Sequence, residues 1–285
     1  NEDIIINPYY MKKHDIRALS LNHFKLNNRV KILGEKKQKF HMIKFVIRTV
    51  SAFKYDLISW KILKKKPLGE EKYRKRAVRG VYYTFTSITD FGFVQSKAKN
   101  KYVFGCYQCE KNFVDIADII KKEFEIVTPP SKSNLKMLNM ITSSNAVCLH
   151  IRRGDYLNER WKMLQVCDFN YYDRAIQYMI DKLENPVFYL FSNGSADIKW
   201  IKENYVFSEN PKIIYVDLNN PDYEELRLMT NCKHYIISNS TFSWWGAYLS
   251  QNKKKIVVAP SIWNKSLPED KKLYGKDWTL IDVSE

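Results

Sequence analysis

The sequence predicts an α/β protein whose C-terminal half is a five-stranded, parallel, doubly wound sheet. Three observations carry this. From residue 146 onward, short apolar runs alternate with longer segments of helical periodicity. Each apolar run ends in a polar turn, and a polar stretch with Pro129 and Pro130 adjacent divides the chain into two parts. These predict a first domain over 1–130 and a second over 131–285, with a cleft between them.

The elements follow in order. "AVCLHI" (146–151) reads as a strand, and "NYYDRAIQYMIDKL" (170–183) as a helix with Ile176, Met179, Ile180 and Leu183 on one face. "PVFYLFS", "KIIYVD", "HYIIS" and "KKIVVAP" supply four more strands. Between them "ADIKWIKENY", "PDYEELRLMTNC" with Pro221 at its start, and "FSWWGAYLSQ" read as helices. The first half is less regular. "KFHMIKFVIRTVSAFKYDLISWKILKKK" (39–66) is an amphipathic helix with Ile43, Val46, Ile47, Val50, Phe53 and Leu57 apolar and a basic opposite face. A solvated surface helix is the plainer reading of it, and contact with a membrane surface the other. "GVYYTF" and "KYVFGC" read as strands, and "FVDIADIIKKEF" as a helix packed through Ile116, Ile119, Ile120 and Phe124.

Composition narrows the function. Of 285 residues 45% are apolar and 14% aromatic, which excludes a disordered chain. The net charge of +16 favours anionic partners: nucleotide phosphates, polyanions or an anionic membrane face. There is no zinc-finger spacing, RNP-like strand or basic zipper, so nucleic acid is not the expected partner. Five cysteines without framework spacing suit a reducing compartment, and Cys106 with Cys109 lacks the second ligand pair that a zinc site needs. No apolar run reaches the length of a membrane span, and no signal peptide is visible. The first residue is Asn1, the first methionine is Met11, and "DIIINPYY" reads as an interior strand, so an N-terminal piece is expected to be missing.

Two constellations carry chemistry. In such sheets ligands lie beyond the carboxyl ends of the strands, which here read "HIRRGD", "FSNG", "DLNNPD", "SNST" and "APSIW". At the first, His150, Arg152, Arg153 and Asp155 follow one another closely. Arginine grips phosphate through paired hydrogen bonds and keeps its charge, Gly154 lets the chain turn, and Asp155 could orient a guanidinium. The plain alternative is an arginine pair bridging acidic neighbours. An exposed adhesion tripeptide does not fit a chain leaving a buried strand. At the fourth strand end, Ser238, Asn239, Ser240 and Thr241 precede a helix that continues Phe242, Ser243, Trp244, so hydroxyls and amides converge at a helix start. A capping cluster with a tryptophan anchor explains that motif equally well by itself. Together, a cationic strand end and a donor-rich one suit a diphosphate. No GxGxxG, P-loop or Asp-x-Asp pair occurs, so the arginines are expected to neutralise a departing diphosphate where a metal ion does so elsewhere.

These residues resemble a known family. "HIRRGDY" (150–156), "FYLFSNG" (188–194), "LMTNCKHYIISNSTFSWWGAYL" (228–249) and "VVAPSIW" (257–263) are similar to the α-1,2-fucosyltransferases of glycosyltransferase family 11. "GCYQCEKNF" (105–113) looks like that family's acceptor-side segment, with Tyr107 where tryptophan is usual. The resemblance implies a GT-B architecture of two Rossmann-like domains, no metal and no cofactor. It also implies inverting transfer of L-fucose from GDP-β-L-fucose to the 2-hydroxyl of a galactoside in a surface glycan. Arg152 would bind the β-phosphate, with Arg153, His150 and Asp155 shaping that pocket. Ser238, Asn239, Ser240, Thr241, Phe242 and Ser243 would hold pyrophosphate and ribose, with Trp244 as support. Asp222 and Glu225 match acidic positions of the family. Asp155 is the first candidate base and Glu159 the second, although a carboxylate beside arginine makes a weak base. Another GDP-sugar transferase, or an inactive nucleotide- or glycan-binding relative, is the alternative.

The chain departs from the family in two places. Asn193 and Gly194 stand where two acids are common, and the glycine-rich opening unit is absent, the first glycine being Gly34. Asn193 and Asn239 begin glycosylation triplets and are expected to be unoccupied, which favours a cytoplasmic enzyme, peripheral on an anionic inner membrane face.

Overall fold

A computed structural model describes residues 3–9, 19–63, 69–83, 92, 94–105, 107–208, 211–266 and 273–283, with backbone alone over 51–63. The chain forms two compact units, Asn1–Glu123 and Phe124–Glu285.

In the first unit, β1 (Ile4–Ile6) pairs in parallel with β2 (Val30–Ile32), and β3 (Val81–Tyr83) with β4 (Tyr102–Phe104). Among the described residues these are two separate two-stranded sheets, and the Rossmann-like sheet expected there is not traced as one. The amphipathic pattern does form a long helix, α1 (Glu35–Leu63). Its Phe45 ring packs on Tyr83, Tyr102 and Phe104 at 5.4–6.3 Å. In α2 (Gly69–Ala77), Glu70 and Glu71 each pair with a cation one turn on, Arg74 and Lys75. Its inner face joins Tyr73 and Ala77 to Tyr82, Val94 and Tyr107 in a small core. The helix expected to pack through Ile116 and Ile119 is shorter, α3 (Ala117–Glu123), and both isoleucines are exposed. Cys109 is buried, while Cys106 lies outside the described residues.

The second unit holds one parallel sheet: β5 (Asn145–His150), β6 (Pro186–Phe191), β7 (Ile213–Tyr215), β8 (His234–Ile236), β9 (Val257–Pro260) and β10 (Thr279–Ile281), ordered β10-β9-β8-β5-β6-β7. The five expected strands are all present, and β10 makes a sixth. It pairs in parallel with β9, Leu280 opposite Ala259. Three residues are too few for an alternation to register, so the strand is defined by its neighbour rather than by its own pattern.

Helices α5 (Phe169–Lys182), α6 (Ser195–Asn204), α7 (Asp222–Thr230) and α8 (Thr241–Leu249) follow β5, β6, β7 and β8 in turn. The helix preceding them, α4 (Lys132–Thr142), begins inside the polar stretch expected to act only as a separator. Ser131 is its N-cap and accepts the Asn134 amide at 3.2 Å. Side chains alternate across β5. Val147 and Leu149, with Ile151 beyond them, join Tyr171, Ile176 and Met179 of α5 in the main core, and period two turns Cys148 and His150 to the opposite face. Gly246 of α8 lies against α7, where an added Cβ would stand 3.1 Å from the Met229 Cβ. The Trp244 indole donates to the Leu273 carbonyl at 2.6 Å.

The chain runs outward from β5 through β6 to β7, then returns to β8 on the other side of β5. The strand order reverses there, and a parallel sheet opens a crevice at such a point.

Candidate functional site

Both sequence constellations flank this reversal. The β5 chain leaves the sheet after Ile151, whose amide donates to the Phe191 carbonyl at 3.0 Å. His150 is buried, and its Nδ1 lies 2.9 Å from Ser238 Oγ, so the two motifs meet directly. Burial first, and the Arg152 charge second, lower the His150 pKa to about 3. Its ring is therefore neutral at physiological pH and serves as a hydrogen-bonding strut. A second strut is the Tyr156 hydroxyl, which donates to the Asn239 carbonyl at 2.9 Å.

The two arginines have different surroundings. Arg152 donates from one terminal nitrogen to Asp155 Oδ1 at 2.7 Å. Its guanidinium lies 5.3 Å from the Tyr156 ring centroid, and its Nε is buried without a hydrogen-bond partner. Arg153 lies over the Trp200 ring, 3.2 Å from the centroid, with Nε 3.8 Å from Asp197 Oδ1. Desolvation lowers its pKa and the Asp197 charge opposes that. The turn between them is tied from α6: the Gly154 amide donates to Asp197 Oδ2 at 2.8 Å and the Arg153 amide to Asn193 Oδ1 at 3.3 Å. Gly154 has φ +35, and a Cβ there would fall 2.6 Å from Asn193 Nδ2, so this position needs glycine on both counts.

Asp197 and Trp200 escaped the sequence reading. The family's strand-end acids gave way to Asn193 and Gly194, but an acid is supplied three residues beyond Gly194, in the first turn of α6. The detectable signal was an acidic residue in a first helical turn directly after a strand end.

On the other side, Ser240 is the N-cap of α8, and no side-chain hydrogen bond caps this helix. The first amides of a helix have no intrahelical acceptor, so those of Thr241, Phe242 and Ser243 are donors at a positive dipole end. Asn239 does not offer its side chain: Nδ2 donates to the Leu164 and Trp263 carbonyls at 2.8 and 2.9 Å, locking the amide inside. The same burial leaves no room for a glycan there. Ser238 Oγ is engaged with His150, and Ser243 Oγ donates to the Ser240 carbonyl at 3.2 Å. These two hydroxyls, expected to face a ligand, thus brace the loop. The Phe242 ring stands 6.4 Å from that of His150.

The remaining acids divide by environment. Asp155 holds Arg152, and Glu159 is exposed beside Lys162 at 3.9 Å. Asp222 starts α7 and accepts the Tyr223 amide at 2.8 Å. Burial, assisted by the Asp222 charge, raises Glu225 to about 7. Glu224, which the sequence did not single out, is buried against Arg227, and Arg227 in turn donates to the carbonyls of Ile126 and Thr128. Among the described residues no three His, Cys, Asp or Glu side chains converge.

A parallel sheet whose reversal point sets a partly unpartnered arginine near an uncapped helix start defines an α/β protein with hydrogen-bond donors gathered along one strand edge. The chain belongs to glycosyl transferase family 11, whose sequence profile matches residues 18–282. It is 34% identical over 166 residues to an alpha-1,2-colitosyltransferase of Escherichia coli, covering 56% of this chain and 54% of that one. It is 29% identical over 265 residues to the Escherichia coli O-antigen biosynthesis glycosyltransferase WbnK, covering 87% and 79%. To human galactoside alpha-(1,2)-fucosyltransferase 1 it is 36% identical over 108 residues, 36% of this chain and 28% of the human one. The chain thus spans about half of the colitosyltransferase and under a third of the human enzyme. The solved structure of Escherichia coli ADP-heptose LPS heptosyltransferase II matches with a TM-score of 0.32 at 15% identity, covering 54% of this chain and 44% of that one.

Proposed function

We propose that this protein is a GT-B-like, metal-independent, inverting glycosyltransferase that moves L-fucose from GDP-β-L-fucose to the 2-hydroxyl of a galactoside in a surface glycan. The observation that carries the reading is Arg152: a guanidinium at the reversal point, steadied by Asp155 and retaining a buried Nε donor with no protein acceptor. In the reaction the galactose O2 attacks the anomeric carbon of fucose from the face opposite the diphosphate. The bond from that carbon to the β-phosphate oxygen breaks, its electron pair stays on GDP, and the O2 proton passes to a base. Arg152 and the first amides of α8 meet the charge that develops on GDP. Asp155, paired with Arg152, orients the arginine in this scheme rather than taking the proton. Arg153, clamped on Trp200 and Asp197, fixes the turn.

Members similar to this chain are named for fucose and for colitose, both with α-1,2 linkage. A colitosyl donor is therefore the second candidate. The net charge of +16 supports a reaction at an anionic membrane face, on its cytoplasmic side in this proposal. The test is incubation with GDP-fucose or the colitosyl donor and β-galactosides, followed by linkage mapping of the product. An α-linkage at O2 is expected, and a linkage to any other position overturns the regiochemistry.

A further inference from the structure

Over residues 36–50, helix α1 has two apolar faces, and among the described residues one of them is packed. Its inner face turns Phe45 onto the rings of Tyr83, Tyr102 and Phe104, and buries Gln38, whose amide donates to the Leu33 carbonyl at 2.8 Å. The other face carries Phe40, Ile43, Val46, Ile47 and Val50, each between 48% and 62% exposed. At 100° per residue these five fall within one third of the helix circumference, and Lys37, Lys44 and Arg48 form the adjoining strip. Residues 36 to 50 hold five lysines and arginines and no acid. All five cations are exposed, and none is ion-paired among the described residues. Lys44 lies over the Phe40 ring at 4.4 Å, so charge and apolar stripe adjoin.

The occupant must take apolar side chains and an unbalanced row of cations together. A second copy of the chain would oppose the same cations to one another, and a nucleic acid would leave the apolar stripe in water. An anionic lipid surface satisfies both, because acyl chains take the stripe and headgroups the cations. We propose that α1 lies in the plane of an anionic bilayer surface, with Phe40, Ile43, Val46, Ile47 and Val50 buried at the acyl boundary and Lys37, Lys44 and Arg48 against the headgroups. This deepens the membrane placement in the proposed function and is independent of its sugar chemistry.

The test uses the full chain and two sets of vesicles: phosphatidylglycerol with phosphatidylethanolamine, and phosphatidylcholine alone. Co-sedimentation is expected with the first set only. An environment-sensitive fluorophore on Ile47→Cys should shift to the blue on those vesicles. The triple change K37E/K44E/R48E should lower the partition coefficient by about a hundredfold or more, at about fivefold per cation removed. I43S/I47S/V50S should also abolish binding while leaving circular dichroism and the melting midpoint unchanged, since these side chains lie outside the packed face. Equal binding to both vesicle types, undiminished binding by the serine variant, or a fluorophore already shielded without lipid overturns the proposal. So does a dimer that the serine variant dissolves. Vesicle binding with no sugar transfer would count against the sugar chemistry and leave the docking standing.

Discussion

Removing the Asp197 carboxylate tests how the arginine turn is held. Its Oδ2 accepts the Gly154 amide at 2.8 Å, and its Oδ1 lies 3.8 Å from Arg153 Nε. A hydrogen bond to a charged acceptor is worth about 1.5–3 kcal/mol. The ion pair is long, with 20% and 16% of the two side chains exposed, and adds about 1 kcal/mol or less. Asp197→Ala should therefore cost about 2–3 kcal/mol in urea unfolding. Asp197→Asn keeps an oxygen for Gly154 and loses only the charge, so it should cost about 1 kcal/mol or less. GDP affinity, measured calorimetrically, should fall in the same order, because the turn that Asp197 ties also aims Arg152. If the asparagine variant loses as much as the alanine variant, charge rather than the amide contact holds the turn. If the alanine variant stays within about 0.5 kcal/mol of the parent, the turn is held by something else.

Arg152→Ala should weaken GDP binding by about 1.5–3 kcal/mol, as expected for a charged hydrogen bond, and leave the melting midpoint near the parent's; unaltered GDP binding would remove the donor site from this strand end. EDTA should leave transfer intact, and restoration of an EDTA-inhibited reaction by a divalent cation would contradict the arginine mechanism. Two buried groups should shape stability against pH. The folded-state pKa of His150 is depressed to about 3, so the unfolded chain takes up its proton first, and up to about 5 kcal/mol is lost as pH falls from 6.5 toward 3. For Glu225 it is raised to about 7, so up to about 3 kcal/mol is lost as pH rises from 4.5 to 7. The two slopes oppose each other between 4.5 and 6.5, and melting curves should show His150→Asn flattening the acid limb and Glu225→Gln the neutral one. Gly246→Ala should destabilise by about 1 kcal/mol or more despite alanine's helix propensity, since Met229 must move; a higher melting midpoint would show that α7 and α8 are less tightly packed than this.

The second unit was legible because each of its five long-recognised strands is bounded by polar turns and separated by a helix of clear period. The elements missed were those whose cause is tertiary. Strand β10 exists through its pairing with β9, and α4 through a serine cap within a stretch whose prolines suggested only a break. The first unit was less legible, because apolar periodicity does not say which apolar face is covered. Ile116 and Ile119 have helical spacing yet remain exposed, and α1 hides Phe45 while displaying Ile43 and Ile47.

At the site, residue type was readable and residue role was not. The sequence placed eight polar or charged side chains at two strand ends without showing which of them turn toward each other. Folding commits most of them internally: His150 to Ser238, Asn239 to two carbonyls, Arg153 to Trp200 and Asp197. Each commitment suits the proposed diphosphate site, since such a site must be preorganised before charge develops on it. A neutral His150 costs less to bury beside Arg152 than a charged one, and this leaves the guanidinium as the local positive charge. Asp155, half exposed, steadies that charge and does not bury it. What the fold leaves without a hydrogen-bond partner at these strand ends is specific: the Nε groups of Arg152 and Arg153 and the opening amides of one helix, all hydrogen-bond donors. An arrangement whose uncommitted groups are all donors selects an anion, and the reversal point of a parallel sheet is where an extended anion has space to lie.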